Sequence, residues 1–273
     1  MEYRFLGRTG LKVSVVGYGG GRVRPDAEAD EVLAILRAAR EAGVNFFDTA
    51  PSYGDGRSEE LLGQALETDR EECVLTTKTE TFAAADIPGS LEASLRRLRT
   101  DCVDLLQFHG GWFPEADVEV ILAEGLPAYQ RLREQGKTRF LGFSADGPSP
   151  GVWRLLETGA FDAIQVNFSL MYGSTHDQFA DRGLIPDAKA RGMGVFTMRS
   201  TTSSVFPRWL ASLDPALPDS LDWEAALLTY TLSNPAVDSA LMSLRSLEDV
   251  SRCAAVGEAS DGRLNLRRLH GRE

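Results

Sequence analysis

Ionisable residues close three apolar, strand-forming runs of this sequence, and a tyrosine follows one of them. Asp48, Lys78 and His109 each end such a run, and Tyr53 lies in the Pro/Gly-rich loop after Asp48. Burying a carboxylate costs desolvation energy, so Asp48 requires a partner. A buried Lys78 ammonium would lose its proton unless a nearby carboxylate kept it charged. The two residues therefore predict a buried ion pair.

A charged Lys78 would act in turn on Tyr53. Bringing a phenol from a pKa of about 10 to near neutrality needs about 4 kcal/mol, which a close charge in a dry site can supply. We therefore expect Tyr53 to give and take a proton. Each residue also has a structural interpretation: Asp48 could cap a turn, Lys78 could pair with Glu80, and His109 could be a hydrogen-bonded core residue. Only the combined set indicates catalysis.

Short β-rich runs alternate with amphipathic segments and define the elements that must position these residues. Strands are predicted at 14–19, 44–48, 73–78, 103–109, 138–144, 163–169, 194–198 and 238–242. Strand-then-helix units of this number, with strands apolar on both faces, predict an α/β fold: a (β/α)8 TIM barrel, with residues 1–273 as a single domain. The stretch 3–14, around the turn signal at Arg8, predicts a short N-terminal β-hairpin that caps the barrel bottom.

The segments between the strands predict helices and long loops. Helices are expected at 30–43, 58–67, 87–99, 126–136, 151–159, 179–192, 221–233 and 247–259. The longest irregular segments, 110–125, 170–178 and 199–220, each follow a strand. Loops after strands form the catalytic face of such a barrel, and polar residues that end strands point into it. We therefore expect the ionisable residues to converge at one mouth.

Composition excludes several classes of function. A net charge of -11 and a pI near 4.9 would repel nucleic acid and anionic membranes. The sequence shows no signal core and no apolar run long enough to span a bilayer, which indicates a cytoplasmic protein. Its three cysteines suggest reduced thiols, and its three histidines have no metal-ligand spacing, so no metal is expected. The oligomeric state stays open between monomer and dimer.

The motifs around these residues resemble the aldo-keto reductase superfamily along nearly the whole chain. The segments that carry the resemblance are GVNFFDTAPSYGDGRSEELLGQAL, LTTKT, DLLQFHG, RFLGFS and IQVNFS. The resemblance implies a catalytic set of Asp48, Tyr53, Lys78 and His109. It also implies hydride transfer between a nicotinamide and a carbonyl carbon, with Tyr53 protonating the carbonyl oxygen and His109 orienting it.

A nucleotide site is expected after the last strands of the barrel rather than at a Rossmann fingerprint. GYGGGR at 17–22 lacks the third glycine of the Rossmann fingerprint, which argues against that fold. Barrels commonly bind phosphate after their last strands, and Arg245 stands there just before a helix. With the resemblance, the expected NADP(H)-binding residues are Gly20, Gly21, Asp48, Ser144, Gln165, Asn167, Met198, Arg199, Ser200, Ser243, Arg245, Ser246 and Asp249.

This sequence departs from the family's pattern at four of its cofactor positions. Ala145 stands where an Asn is common, Met198 replaces an aromatic residue, and Cys253 replaces an adenine-binding Asn. Asp249 occupies the place of an Arg that meets the 2'-phosphate. Arg245 favours NADPH and Asp249 disfavours it by like-charge repulsion. We expect NADPH on balance, with NADH as the alternative.

Aromatic residues near the catalytic set predict the substrate pocket. Phe82 and Trp112, with Tyr53 and His109, are the expected substrate-binding residues, and they suggest an apolar pocket for an aldehyde, a ketone or the corresponding alcohol. The short basic segment 262–273 suggests an open site. Two other functions stay open: a non-catalytic, nicotinamide-binding regulatory subunit, and a Schiff-base aldolase in which Lys78 is the nucleophile.

Overall fold

The computed structural model describes residues 1–177, 181–202 and 205–271, so parts of the segments 170–178, 179–192, 199–220 and 262–273 lie outside the described residues. Eight parallel strands close into a barrel in which each strand pairs with the next along the chain and the last pairs with the first. They are β3 (Val16–Gly19), β4 (Phe46–Asp48), β5 (Val74–Thr79), β6 (Val103–Phe108), β7 (Thr138–Ala145), β8 (Ala163–Asn167), β9 (Gly194–Met198) and β10 (Ser239–Met242). The predicted (β/α)8 barrel and all eight of its strands are confirmed.

Helices surround the barrel and bury their apolar faces against it. They are α1 (Ala29–Glu41), α2 (Arg57–Leu66), α3 (Ile87–Leu98), α4 (Glu115–Val120), α5 (Leu126–Glu134), α6 (Pro150–Glu157), α7 (Leu184–Ala190), α8 (Val205–Leu213), α9 (Trp223–Leu232), α10 (Leu247–Glu258) and α11 (Leu266–Leu269). Side-chain caps fix where α6, α9 and α10 begin: the side chains of Ser149, Asp222 and Ser246 each accept a hydrogen bond from a first-turn backbone N–H. Among the described residues, no helix is both long and apolar enough to cross a bilayer.

An antiparallel hairpin closes the end of the barrel where the strands begin. β1 (Tyr3–Phe5) pairs with β2 (Lys12–Ser14). Leu6, between them, is fully buried in a cluster with Phe46 and Phe196. Arg8 donates to the carbonyl oxygen of Phe161, just before β8. The predicted cap on the barrel bottom is therefore confirmed.

Two segments that the sequence indicated as irregular contain helices. The segment 110–125 holds α4 and a following π-helical turn, because Val118 and Ile121 lie three residues apart and are both fully buried. The segment 199–220 holds α8, where Phe206 and Leu210 lie four residues apart and pack on Leu227. Gly and Pro residues within these segments hid the helical spacing from the sequence interpretation.

Candidate active site

The barrel brings the predicted ionisable residues to the end where its strands terminate. Asp48 is the last residue of β4, Lys78 is the last but one of β5, and His109 directly follows β6. Parallel register places Asp48 beside Thr76 and Lys78 beside Gln107. Adjacent strands in register thus carry the three side chains to one mouth, where the loop after β4 adds Tyr53.

Asp48 and Lys78 form a buried, bidentate ion pair. The Lys78 Nζ lies 2.7 and 2.8 Å from the two carboxylate oxygens of Asp48 and 2.8 Å from the carbonyl oxygen of Thr49. Burial alone would lower the pKa of Lys78, but Asp48 and Tyr53 together raise it. Burial raises the pKa of Asp48, with Lys78 opposing it. The ammonium therefore stays charged, and Lys78 pairs with Asp48 rather than with Glu80.

Gln107 holds the carboxylate from the next strand. Its Nε2 donates to Asp48 Oδ1 at 3.2 Å and to Thr76 Oγ1 at 2.8 Å. The side chain is fully buried inside the barrel. Gln107 was not predicted from the sequence, although it lies two positions before His109 on a buried strand, and side chains two positions apart on a strand share one face. Gln107 thus fixes one oxygen of Asp48.

Tyr53 lies against both Lys78 and His109. The Lys78 Nζ is 4.8 Å from the centre of the Tyr53 ring, and the His109 ring meets that ring edge to face at 5.7 Å. Burial raises the pKa of Tyr53, and Lys78 opposes this only in part. The prediction that Lys78 brings this pKa below its ordinary value is wrong. Asp48, which holds the ammonium, also acts on the phenol and cancels part of the attraction.

His109 binds a carboxylate on the rim. Its Nδ1 lies 3.0 Å from Glu80 Oε1, and Glu80 is also held by hydrogen bonds from Ser52. These bonds keep the pKa of Glu80 low although partial burial raises it. Burial lowers the pKa of His109, Lys78 adds to this effect, and Glu80 opposes it. His109 is therefore neutral at pH 7.

A cleft of about 1130 Å³ runs across the mouth of the barrel. Most of the predicted cofactor and catalytic residues line it: Gly21, Asp48, Tyr53, Lys78, His109, Ser144, Gln165, Met198, Arg199, Ser200, Ser243, Arg245 and Asp249. Its volume exceeds the roughly 300–1,000 Å³ typical of small-molecule sites, so the cleft is large enough for an extended ligand. Outside this lining are Gly20, which packs against Ser58, Asn167, whose amide donates to Asp146, and Ser246, which caps α10.

Three amide side chains at this end of the barrel have buried oxygens that accept no hydrogen bond from the described residues: Gln107 Oε1, Gln165 Oε1 and Asn167 Oδ1. Of these residues, Gln165 lines the cleft. Gln165 Nε2 contacts Met198 Sδ at 3.5 Å, and Asn167 Nδ2 donates to Asp146. Buried acceptors without partners are costly, and a ligand N–H would satisfy them. A carboxamide, which carries two such hydrogens, fits this requirement.

Polar contacts also fix the residues around these amides. Ser144 Oγ bonds the backbone of Gly110, and the buried Ser200 bonds Thr197 through their hydroxyls at 3.1 Å. Arg199 adopts a left-handed backbone conformation, with φ of 59°, and pairs with Asp146 at 3.3 Å. Non-glycine residues rarely take this conformation, and where they do, the surrounding structure enforces it at a functional site or turn.

The far end of the cleft carries mixed charge. Arg245 is exposed and lies 3.2 Å from Glu224 and 3.4 Å from Asp249. Asp249 also accepts a hydrogen bond from the Arg245 backbone and pairs with Arg252. Ser243 is exposed beside Arg245. The guanidinium of Arg245 is therefore already paired with two carboxylates.

The predicted aromatic walls do not line the cleft. Phe82 packs against Phe108 and Phe113, with ring centres 5.8 and 6.0 Å apart, and Trp112 is 58% exposed beside Gly147. Around the catalytic residues the cleft is lined instead by residues that the sequence interpretation did not select: Arg22, Val23, Arg24, Pro25, Ser52, Asp55, Asp146 and Tyr172. Four of these side chains are charged, so this part of the cleft is more polar than expected.

Comparison with known proteins agrees with this architecture. A model described as the Aldo/keto reductase family matches residues 15–232. The chain belongs to the aldo/keto reductase family. This match spans all the strands of the barrel except β10.

Three similar proteins show the range of this aldo/keto reductase's relatives. L-galactose dehydrogenase from Arabidopsis thaliana is 33% identical over 94% of this chain and 89% of its own. A protein named as a voltage-gated potassium channel subunit beta, from Schizosaccharomyces pombe, is 34% identical over 53% of this chain and 45% of its own. The crystal structure of an aldo/keto reductase from Klebsiella pneumoniae in complex with NADP and acetate superposes with a TM-score of 0.77, at 24% identity, covering 99% of this chain and 96% of that one.

Proposed function

We propose that this chain is a single-domain aldo/keto reductase that interconverts carbonyl compounds and alcohols with NADP(H). The observation that supports this most directly is the packing of Asp48, Lys78, Tyr53 and His109 at the mouth of the cleft. NADP(H), when bound, supplies or accepts the hydride. The chain's own side chains bind and orient the substrate and the nucleotide, and they transfer the proton.

Tyr53 is the proposed proton donor in carbonyl reduction. Its raised pKa keeps the phenol protonated at neutral pH, as a general acid requires. The ammonium of Lys78 beside it stabilises the phenolate that forms when the proton leaves. His109, whose ring meets the Tyr53 ring edge to face, would orient the same substrate oxygen. Asp48 and Gln107 hold Lys78 in place throughout.

The residues that would hold NADP(H) fall into two groups. Ser144, Gln165 and Asn167 would bind the carboxamide, since the two amides have unsatisfied acceptors. Arg245 with Ser243 would meet the 2'-phosphate, because a guanidinium binds phosphate through charge-assisted hydrogen bonds. The NADP complex of the Klebsiella relative supports NADP(H) as the nucleotide. Glu224 and Asp249 reduce the preference for NADPH over NADH, since their charges repel the phosphate.

A hydroxyl-rich carbonyl compound or alcohol is the proposed substrate class. Arg22, Arg24, Asp55 and Asp146 line the cleft, and they suit a substrate with many hydroxyls better than a large apolar one. The similarity to L-galactose dehydrogenase supports this proposal. Aldoses, their lactones and simple polyols belong in the first substrate panel, with steroids and quinones as the apolar comparison.

The Tyr53→Phe variant tests the proposal. We expect reduction and oxidation to fall at least about a hundredfold, because general acid catalysis contributes about 10²–10⁴. Nucleotide affinity should stay within a few-fold, since the hydroxyl acts on substrate. The assay is absorbance of the reduced nicotinamide, with fluorescence titration for binding. Tyr3→Phe, which removes a hydroxyl bonded to Gly43 outside the cleft, is the matched control. Equal loss of turnover and binding in Tyr53→Phe would contradict the assigned role.

A second candidate is a nicotinamide-binding regulatory subunit. The similarity to a channel subunit beta favours it, although that match covers about half of each chain. Tight nucleotide binding with no turnover across the whole substrate panel would support this function over the enzyme. The Schiff-base aldolase is disfavoured, because Lys78 donates to three oxygen acceptors and stays protonated. Borohydride trapping of a carbonyl compound on Lys78 would revive it.

A further inference from the structure

Two buried polar residues lie in the first turn of α2, and the proposed chemistry does not use them. Ser58 is 1% exposed and Glu59 is fully buried. Burying a carboxylate is costly unless it is paired and hydrogen-bonded. Helix formation does not require this burial, because Glu60, the next residue of the same turn, is exposed. The reason must therefore lie in what Ser58 and Glu59 contact.

Ser58 is hydrogen-bonded to two segments of the loop after β4. Its backbone N–H donates to the carbonyl oxygen of Tyr53 at 3.2 Å. Its Oγ accepts from Thr49 Oγ1 at 2.9 Å, and the carbonyl oxygen of Thr49 is the third acceptor of the Lys78 ammonium. The hydroxyl comes so near the end of β3 that a Cβ on Gly20 would overlap it. Ser58 thus binds the backbone of Tyr53 and a residue that holds Lys78.

Glu59 binds β5 from the helix side of the barrel wall. Its Oε1 accepts a hydrogen bond from Thr77 Oγ1 at 2.6 Å, and its Oε2 lies 2.7 Å from Arg97 Nε and 2.6 Å from Arg97 Nη2. Arg97 belongs to α3 and neutralises the carboxylate. Side chains alternate along a strand, so Thr77 faces the helices while Lys78 faces the interior. Glu59 therefore fixes the residue next to Lys78, on the opposite face of the strand.

We propose that Ser58 and Glu59 are positioning residues that set the distance between the Lys78 ammonium and the Tyr53 phenol. This inference rests on the proposed function, in which Tyr53 is the proton donor. Neither residue lines the cleft, so both act through the backbone of the loop after β4 and through β5. The first turn of α2 thereby becomes part of the structure that controls proton transfer.

The separation of Lys78 and Tyr53 determines how strongly the ammonium favours the phenolate. The Nζ lies 4.8 Å from the centre of the phenol ring, and Lys78 lowers the Tyr53 pKa against the larger effect of burial. Asp48 ties the ammonium to β4, whereas Tyr53 lies further along the chain, in a loop. Because Ser58 and Glu59 are adjacent in one helix, their hydrogen bonds hold this loop and β5 at a constant separation.

Substitutions at Thr77 and Glu59 test the inference. Thr77→Val keeps the shape of the side chain but removes the hydroxyl that donates to Glu59, and Thr77→Ser restores it. Glu59→Gln removes the charge that Arg97 binds. Its matched control is Glu60→Gln, because Glu60 is the neighbouring residue of α2 but is 52% exposed and pairs with Arg57 on the surface.

We expect the substitutions to lower turnover more than binding. In Thr77→Val and Glu59→Gln, kcat should fall about tenfold while KM and nucleotide affinity stay within about threefold, because a small displacement of a catalytic group slows the reaction without removing a binding contact. Thr77→Ser should recover the parent kcat, and Glu60→Gln should match the parent protein.

The Tyr53 pKa is a readout that a general loss of structure would not move in this direction. A displacement of the ammonium by about 1 Å should raise the pKa by about 0.4 units, at an effective dielectric constant of about 20. Ultraviolet titration of Thr77→Val, with and without Tyr53→Phe, measures this shift and needs no substrate. The charged and titratable groups around the phenol are Lys78, Asp48, Glu80 and His109, and Thr77→Val changes none of them.

The outcomes separate a positioning role from a purely structural one. A lower kcat together with a higher Tyr53 pKa in Thr77→Val supports the inference. A variant that loses stability in urea but keeps the parent kcat and the parent Tyr53 pKa would overturn it, as would equal losses in Thr77→Ser. If Thr77→Val does not fold, Ser58→Ala, which removes the acceptor of the Thr49 hydroxyl, takes its place with the same expectations. Absence of turnover in the parent protein would contradict the proposed function, while the titration would still decide whether α2 positions Lys78 and Tyr53.

Discussion

The Asp48→Asn substitution tests the electrostatics of the site without reference to any substrate. It removes the carboxylate that pairs with Lys78 at 2.7 and 2.8 Å and leaves a buried ammonium bonded to one carbonyl oxygen. Breaking a buried pair in this way costs about 3–5 kcal/mol. The protein can limit this cost by releasing the Lys78 proton, which at pH 7 requires about 4.6 kcal/mol from an ordinary lysine pKa near 10.4. We therefore expect unfolding stability to fall by about 3–5 kcal/mol.

The pH dependence of this loss distinguishes a buried ammonium from a simple packing defect. In the parent protein the Lys78 pKa is raised, so its stabilisation is complete below the unfolded value and disappears only as pH rises through the folded one. If Lys78 is neutral in folded Asp48→Asn, the unfolded chain binds one more proton. Stability of the variant then rises by about 1.4 kcal/mol per pH unit between pH 7 and 9.

Urea unfolding at several pH values measures both effects. Glu67→Gln is the control, since its pair with Arg99 has the same 2.8 Å separation but is about half exposed on each side. Exposed pairs contribute about 0–1 kcal/mol, so little change is expected there. The double variant with Lys78→Met should recover stability relative to Asp48→Asn alone. A loss that is constant from pH 7 to 9, or no loss at all, would refute the buried ion-pair reasoning.

Two further substitutions test the proposed phosphate end of the cleft and the hairpin that closes the other end of the barrel. Asp249→Asn should tighten NADPH binding about fivefold with little change for NADH, because Asp249 pairs with the Arg245 guanidinium proposed to hold the 2'-phosphate, and one charge at contact distance contributes about 1 kcal/mol in water. Fluorescence titration of both nucleotides checks this, and equal changes for the two would contradict it. Leu6→Ala should lower unfolding stability by about 2–5 kcal/mol, because Leu6 is fully buried where the hairpin closes the barrel; a loss below about 1 kcal/mol in urea unfolding would show that this contact is not part of the core.

The positions of the catalytic side chains could be predicted from the sequence more accurately than their protonation states. That Asp48, Lys78 and His109 converge follows from the barrel, since parallel strands in register end at the same edge. The predicted lowering of the Tyr53 pKa was wrong, because the direction of this shift depends on interatomic distances that the sequence does not give. Asp48 neutralises Lys78 at 2.7 Å, and burial then dominates at the phenol.

Loop residues were harder to assign than strand ends. Phe82 and Trp112 are near His109 in sequence or in the adjacent loop, but backbone direction after a strand decides whether a side chain enters the cleft. Phe82 instead packs on Phe108, and Trp112 is exposed. Glu80 was considered only as a partner for Lys78, because sequence spacing alone does not distinguish it from Asp48 as the nearer carboxylate.

The site divides into a buried half and a rim half, and this division explains why each carboxylate can do only one task. Asp48, Lys78 and Gln107 are almost fully buried, so their geometry is fixed and their charges are weakly screened. Glu80 and His109 are partly exposed, so their proton can leave. Glu80, whose pKa Ser52 and His109 lower, therefore orients the imidazole of His109 from the rim. Asp48 cannot replace it there, because both oxygens of Asp48 already bind the ammonium of Lys78.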